Sequence, residues 1–202
     1  MPTLQQQFGP IDIYLFDQLL RNNIMPGMRV LDAGCGAGRN LVYFLREAYE
    51  VFGSDHNPEA IAQTRALAAA LAPHLAAENF RVEAIESISH PDRTFDVVIC
   101  SAVLHFAHDD AHFNAMLENL WRVLKPNGLL FCRLASIIGM PHHHLTGRRY
   151  LAPDGVERYC VDEDLLMRLT RKLGAQLVDP IKTTVVQNQR CMTTWIIRKR
   201  AH

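Results

Sequence analysis

Residues 30–38 read Val-Leu-Asp-Ala-Gly-Cys-Gly-Ala-Gly, and no other stretch limits the possible folds of this chain as much. Met28 to Leu31 is a short apolar run of the kind that forms a buried strand, and Asn40 to Arg46 has the apolar spacing of a following helix. A strand, a glycine turn and a helix bring backbone close to a nucleotide-like ligand at the carboxyl edge of a sheet. Glycine serves there because a Cβ would block the approach or resist a positive φ. The acid at Asp32 selects the ligand. A carboxylate in that place repels a pyrophosphate and instead holds an ammonium group, directly or through water. The dinucleotide pattern G-x-G-x-x-G also fails on position, since Gly34 and Gly36 fit but Arg39 stands where the third glycine belongs.

The remaining periodicity repeats the same unit. Ile11, Tyr14, Leu15 and Leu19 have helical spacing and predict a helical cap over about 10–23. A helix to about residue 48 and a strand ending at Asp55 follow the glycine turn. Asn57-Pro58 is a cap and first-turn pair for an alanine-rich helix to about Leu71. Phe80 to Ile88 predicts a third strand, Phe95 to Cys100 a fourth, His112 to Leu124 a helix and Leu129 to Leu134 a fifth strand. Residues 135–160 lack periodicity, contain Gly139, Pro141, Gly147, Pro153 and Gly155, and read as a lid-like loop. A helix opening at Asp162 and two strands near 176–187 and 191–199 complete the chain. The expectation is one α/β domain over 1–202. It is a doubly wound, Rossmann-like, seven-stranded sheet, mostly parallel, ending in an antiparallel hairpin.

Composition narrows the function classes. Lys+Arg and Asp+Glu both number 21, so no global basic field argues for nucleic acid or membrane. No apolar run is long enough to cross a bilayer, and the first residues lack the pattern of a signal peptide. The five cysteines are scattered, with no C-x-x-C, which predicts reduced thiols in a cytoplasmic protein. His142-His143-His144 has no acidic or cysteine partner at ligand spacing, so no metal is expected.

Asp32-x-Gly34-x-Gly36-x-Gly38 resembles the first motif of class I S-adenosylmethionine (SAM)-dependent methyltransferases, D/E-x-G-x-G-x-G. Three later motifs stand in the right order. Asp55 falls at the end of the second strand. Phe95-Asp96-Val97-Val98 with Leu104-His105 beyond it is similar to F-D-x-V…L-H. Leu124-Lys125-Pro126-Asn127-Gly128 is similar to L-K-P-G-G. The resemblance runs from Pro26 to Lys199 and implies SAM as cofactor. It implies that Asp32 and the glycine loop receive the amino-acid end, with Arg39 or Asn40 reaching its carboxylate. Asp55 would take the ribose hydroxyls, with His56 along the adenine. Glu86, where the family more often has Asp, would meet the adenine amino group, and Ser87 would offer its backbone N–H to the ring. Ser101 would face the methionine part.

His105 is the candidate catalytic base. Tyr14, Asp17, Arg148 and Arg149 are candidate substrate contacts, the first two from the cap and the last two from the lid. The small size resembles methyltransferases of metabolites, including the tellurite and thiopurine types. An RNA or protein methyltransferase is the alternative, although no N/D-P-P-Y/F sequence follows the fourth strand. A non-catalytic SAM-binding protein is the third reading, and the intact first motif argues against it.

Overall fold

Strand β1 (Arg29–Ala33) lies at the centre of an eight-stranded sheet, flanked by β2 (Glu50–Asp55) and β4 (Phe95–Ser101). The computed structural model describes residues 3–47, 49–140, 145–187 and 189–201. Beyond β2 lies β3 (Phe80–Val82), and beyond β4 lie β5 (Leu124–Ala135) and β10 (Arg190–Arg198). The first five are parallel and β10 runs antiparallel to β5. Two short strands, β8 (Gln176–Leu177) and β9 (Lys182–Val186), both pair with the outer edge of β10. They share one place in the sheet, so seven positions lie across it, as the sequence predicts.

Alternation along the strands divides the interior into two cores. Val30, Val51, Val97 and Ile99 pack with α2 (Ile13–Leu20), α3 (Val42–Arg46) and α4 (Pro58–Leu71). Leu31, Val98, Leu130 and Trp195 pack with α5 (Asp110–Val123) and α6 (Glu163–Lys172) on the other face. Helices on both faces leave the carboxyl edge of the parallel strands as the open side. Among the described residues no helix is long and apolar enough to cross a membrane.

Several predicted elements differ in extent. A short helix, α1 (Leu4–Phe8), precedes the expected cap, and α2 starts only at Ile13, with the Asp12 carboxylate accepting from the Tyr14 N–H. The expected third strand ends at Val82, because the chain turns into a 3-10 turn over Ile85–Ser87. The outer C-terminal strand is broken between β8 and β9. Pro180 has no N–H to give a ladder there. The neighbouring Asp179 carboxylate accepts from Gln18 and Arg21 of the N-terminal segment. The stretch 135–160 is not structureless: β6 (Arg149–Leu151) and β7 (Glu157–Tyr159) form an antiparallel pair within it. The triplet His142-His143-His144 lies outside the described residues.

Candidate functional site

The glycine turn wraps the carboxyl end of β1 and is held by its neighbours' backbone. Gly34 and Cys35 donate to the Ser54 carbonyl at 2.7 and 3.0 Å. Gly36 donates to Asp55 Oδ2 at 2.9 Å, and its carbonyl accepts from the Thr64 hydroxyl at 2.7 Å. Gly34 has φ +79°, and a Cβ there would lie 2.4 Å from Val103 Cγ2. Gly36 has φ +53° and nothing within 4 Å of its would-be Cβ, so the loop presents bare backbone to open space.

Beneath this loop Asp32 is 1% exposed, and among the described residues neither of its carboxylate oxygens has a hydrogen-bond partner. Burial lifts its carboxyl to about 7; the Arg39 guanidinium opposes the rise and Asp55 adds to it. An unpartnered buried carboxylate is costly. A cationic group on a ligand lying over the loop would relieve that cost. The orphaned acid and the open glycine face therefore fit the amino-acid end of SAM.

A cavity of about 540 Å³ opens beside this loop. Its polar wall includes Arg39, His105, Arg133, Asp154, Arg158 and Arg190. Phe106, Ile137, Met140 and Met192 supply much of the apolar wall. Ala102, also lining it, has φ +65°, an uncommon conformation for a residue with a Cβ, and its N–H donates to the Arg133 carbonyl at 2.7 Å. Such local strain gathers at ligand sites. His105 sits in a 3-10 turn and is 5% exposed, with Nδ1 sealed from solvent and without a hydrogen-bond partner among the described residues. Burial, aided by the Arg158 guanidinium, lowers its basicity to a pKa of about 4, so the ring is neutral at physiological pH.

The other sequence candidates divide. Arg39 Nη2 donates to Ser101 Oγ at 3.2 Å, which brings both to the junction of loop and cavity. Asp55 accepts from Gly36 through Oδ2 and from Asn57 N–H through Oδ1, and His56 beside it is exposed. Asn40 turns away from the loop: its side-chain carbonyl accepts from the Asp12 N–H at 3.1 Å, anchoring the N-terminal segment. Ser87 does not offer a free N–H, since that group already donates to the Ala84 carbonyl at 3.1 Å in the 3-10 turn. Glu86 lies in the same turn, 3.5 Å from His112 Nε2.

The four candidate substrate contacts are engaged with other side chains and do not line the cavity themselves, although Tyr14 packs behind Arg133. Tyr14 bonds Thr184 Oγ1 at 2.8 Å, and Asp17 pairs with Arg21 and Lys182. Arg148 pairs with Asp162 at 2.9 Å, and Arg149 pairs with Glu157. Alternation along the β6–β7 pair sets Arg149 on the face of Glu157, while the directly opposed Tyr150 and Arg158 line the cavity; Arg148, just before β6, is held by Asp162 instead. Arg133, Arg158 and Arg190 escaped the sequence reading. Only Arg133 carried a signal, a lone charge inside the apolar run Leu129–Leu134.

Residues 30–128 match the family model described as a methyltransferase domain. The ubiquinone biosynthesis O-methyltransferase of Bradyrhizobium diazoefficiens is 28% identical over 169 residues, covering 75% of this chain and 64% of the relative. The tRNA 5-carboxymethoxyuridine methyltransferase of Escherichia coli is 25% identical over 123 residues, covering 61% of this chain and 46% of that enzyme. The chain thus spans about half to two thirds of the length of these curated relatives. Among solved structures, a SAM-dependent methyltransferase from Methanosarcina mazei superposes with a TM-score of 0.73 at 22% identity, over 91% of this chain and 98% of that one. The Burkholderia thailandensis 1,6-didemethyltoxoflavin-N1-methyltransferase, solved with 1,6-didemethyltoxoflavin and S-adenosylhomocysteine bound, gives 0.70 at 20% identity, over 91% and 76%. With the glycine motif, the sheet order and the domain match in agreement, this chain belongs to the class I SAM-dependent methyltransferases.

Proposed function

We propose that this protein transfers a methyl group from SAM to a small organic acceptor held in the 540 Å³ cavity. The observation that carries the reading is Asp32: a buried carboxylate without a hydrogen-bond partner among the described residues, under a glycine loop whose next residue, Arg39, lines the cavity. SAM supplies a methyl group already activated on a sulfonium. The chain's own task is then to place the acceptor in line with that methyl and keep water out. Asp32 holds the ammonium and Arg39 the carboxylate of the amino-acid end. Asp55, fixed by the Gly36 and Asn57 N–H groups, keeps lone pairs for the ribose hydroxyls.

His105 orients the acceptor. Its Nδ1 is sealed, so Nε2 is the nitrogen left to meet a hydroxyl or amine on the substrate. Its lowered basicity suits accepting a hydrogen bond more than removing a proton outright. The β6–β7 pair forms the outer wall through Tyr150 and Arg158 and closes over the bound acceptor. A small acceptor is favoured over a macromolecule because the polar groups converge inside a cavity of ligand size.

Calorimetric titration with S-adenosylhomocysteine and with NAD, followed by transfer of labelled methyl groups to small-molecule and bulk tRNA acceptors, tests this. Binding of S-adenosylhomocysteine alone and labelling of small molecules are expected. NAD binding without a response to S-adenosylhomocysteine would overturn the cofactor assignment, and labelling confined to tRNA would overturn the acceptor assignment.

A further inference from the structure

The charges on the cavity wall do not cancel. Arg39, Arg133, Arg158 and Arg190 face one carboxylate on the lining, Asp154. Two of the four guanidiniums are already neutralised. Arg158 forms a two-pronged pair with Asp154, at 2.8 and 2.5 Å. Arg133 reaches through the wall to the fully buried Asp12 carboxylate at 2.7 Å, and its guanidinium lies 5.4 Å from the centre of the Tyr14 ring. That leaves Arg39 and Arg190, and among the described residues neither has a carboxylate within 4 Å. Arg39 stands at the glycine loop, bonded to Ser101 and to the Pro10 carbonyl. Arg190 stands at the solvent-exposed rim of the chamber, where β10 begins, two residues before the apolar Met192.

We propose, resting on the methyltransferase reading, that the acceptor is a small anion: an apolar body carrying one acid group, which Arg190 holds at the rim of the chamber. Once Arg39 is occupied by the carboxylate of the cofactor, one uncompensated guanidinium remains on the wall, and one negative charge balances it. A guanidinium binds carboxylate and phosphate with matched, two-pronged hydrogen-bond geometry. The apolar side chains between Arg190 and His105 would receive the body of the molecule. Anchoring the acid at Arg190 places its opposite end toward Ala102 and His105, where the reacting atom belongs. Arg190 is thus a specificity residue that positions the acceptor and takes no part in bond making.

The test uses the whole chain saturated with S-adenosylhomocysteine and three probes of one shape: 4-hydroxybenzoate, 4-hydroxyphenyl phosphate and 4-hydroxybenzamide. Binding is read by calorimetry for the wild type, Arg190→Gln and Arg190→Lys. In the wild type at least one acid should bind about tenfold or more tightly over the neutral amide, as expected for a charge-assisted pair. Which acid wins separates a carboxylate acceptor from a phosphate one. Arg190→Gln should erase the preference, Arg190→Lys should keep part of it, and all three proteins should bind S-adenosylhomocysteine within about twofold of one another. Equal binding of acids and amide by the wild type, binding of none, or an acid preference that survives Arg190→Gln overturns the proposal. Failure of S-adenosylhomocysteine itself to bind would instead overturn the methyltransferase reading beneath it.

Discussion

The glycine-loop wall and the arginine wall meet at Arg39, but they are assembled from different materials. The first is backbone: N–H groups of Gly34, Cys35 and Gly36 fixed to Ser54 and Asp55, with one buried acid, Asp32, beneath. Sterics hold it, since the Gly34 position has no room for a Cβ. The second is side chain, drawn from residues as far apart as Arg39 and Met192, and much of its charge is cancelled by two ion pairs, Arg133 with the buried Asp12 and Arg158 with the exposed Asp154. Solvent and salt weaken the second pair, so the part of the wall that carries it and Arg190 can be rebuilt by substitution without unfolding the sheet, whereas removing Arg133 would strand the Asp12 charge. One face of the cleft is pre-organised for a fixed ligand, and the other can change its occupant.

The sharpest way to break this contrast is Gly34→Ala. The added Cβ meets Val103 in a conformation with φ +79°, and the combined strain should cost roughly 2–4 kcal/mol, enough to abolish measurable S-adenosylhomocysteine binding and lower Tm by several degrees. A variant that binds normally would show that the loop is not sterically fixed. Asp32→Asn should move stability and binding in opposite directions. The ligand-free protein should melt higher, because a costly buried charge is gone, while affinity for S-adenosylhomocysteine should drop by about tenfold or more.

The same acid sets a pH dependence. Its carboxyl titrates near 7 in the fold against an ordinary value of 3.8, so it is protonated more readily folded than unfolded. Its ionisation therefore destabilises the ligand-free protein progressively from above pH 4, with the full cost present above about pH 7. A ligand bearing an ammonium removes that cost. The gain in Tm on adding S-adenosylhomocysteine should thus be larger at pH 8 than at pH 6.5. His105 does not confuse this window, because its lowered pKa of about 4 destabilises the fold only as pH falls below its ordinary 6.5. A gain that is flat over this interval would mean that Asp32 stays neutral or is not beside the ammonium.

Two smaller effects sharpen the other side. Arg148→Gln should leave the preference for an acid probe within about twofold of wild type, because that guanidinium is spent on Asp162 outside the cavity. Hydrogen exchange over 149–160 should slow only slightly when cofactor and acceptor are both bound, since β6 and β7 are already paired.

These walls also differ in how far the sequence discloses them. The glycine motif is local: its residue types, order and flanking periodicity encode both the turn and the Asp32 position. The sheet was legible for the same reason, as each βα unit repeats one pattern. The cavity was not, because its wall depends on long-range register. Arg148 and Arg149 looked like an anion site in the linear sequence. Yet the β6–β7 pairing turns Arg149 toward Glu157 and gives the cavity Arg158 from the opposite strand. The surroundings of Glu86 and Ser87 were not legible either: the third strand stops at Val82, and a 3-10 turn in contact with α5 then engages the Ser87 N–H and sets Glu86 near His112.

The pairing of Asp12 with Arg133 has a consequence for how the chain is made. Asp12 leaves the ribosome 121 residues before the guanidinium that neutralises it, an interval of roughly 6–24 s at ordinary synthesis rates. Tyr14 waits longer still for Thr184, 170 residues behind it. The last strand, β10, is inserted between β5 and the β8–β9 pair. The glycine loop and the docking of the N-terminal helix on β1 and α3 can form while synthesis continues, but the Arg133 and Thr184 contacts that tie that helix to the cavity side of the sheet come only later.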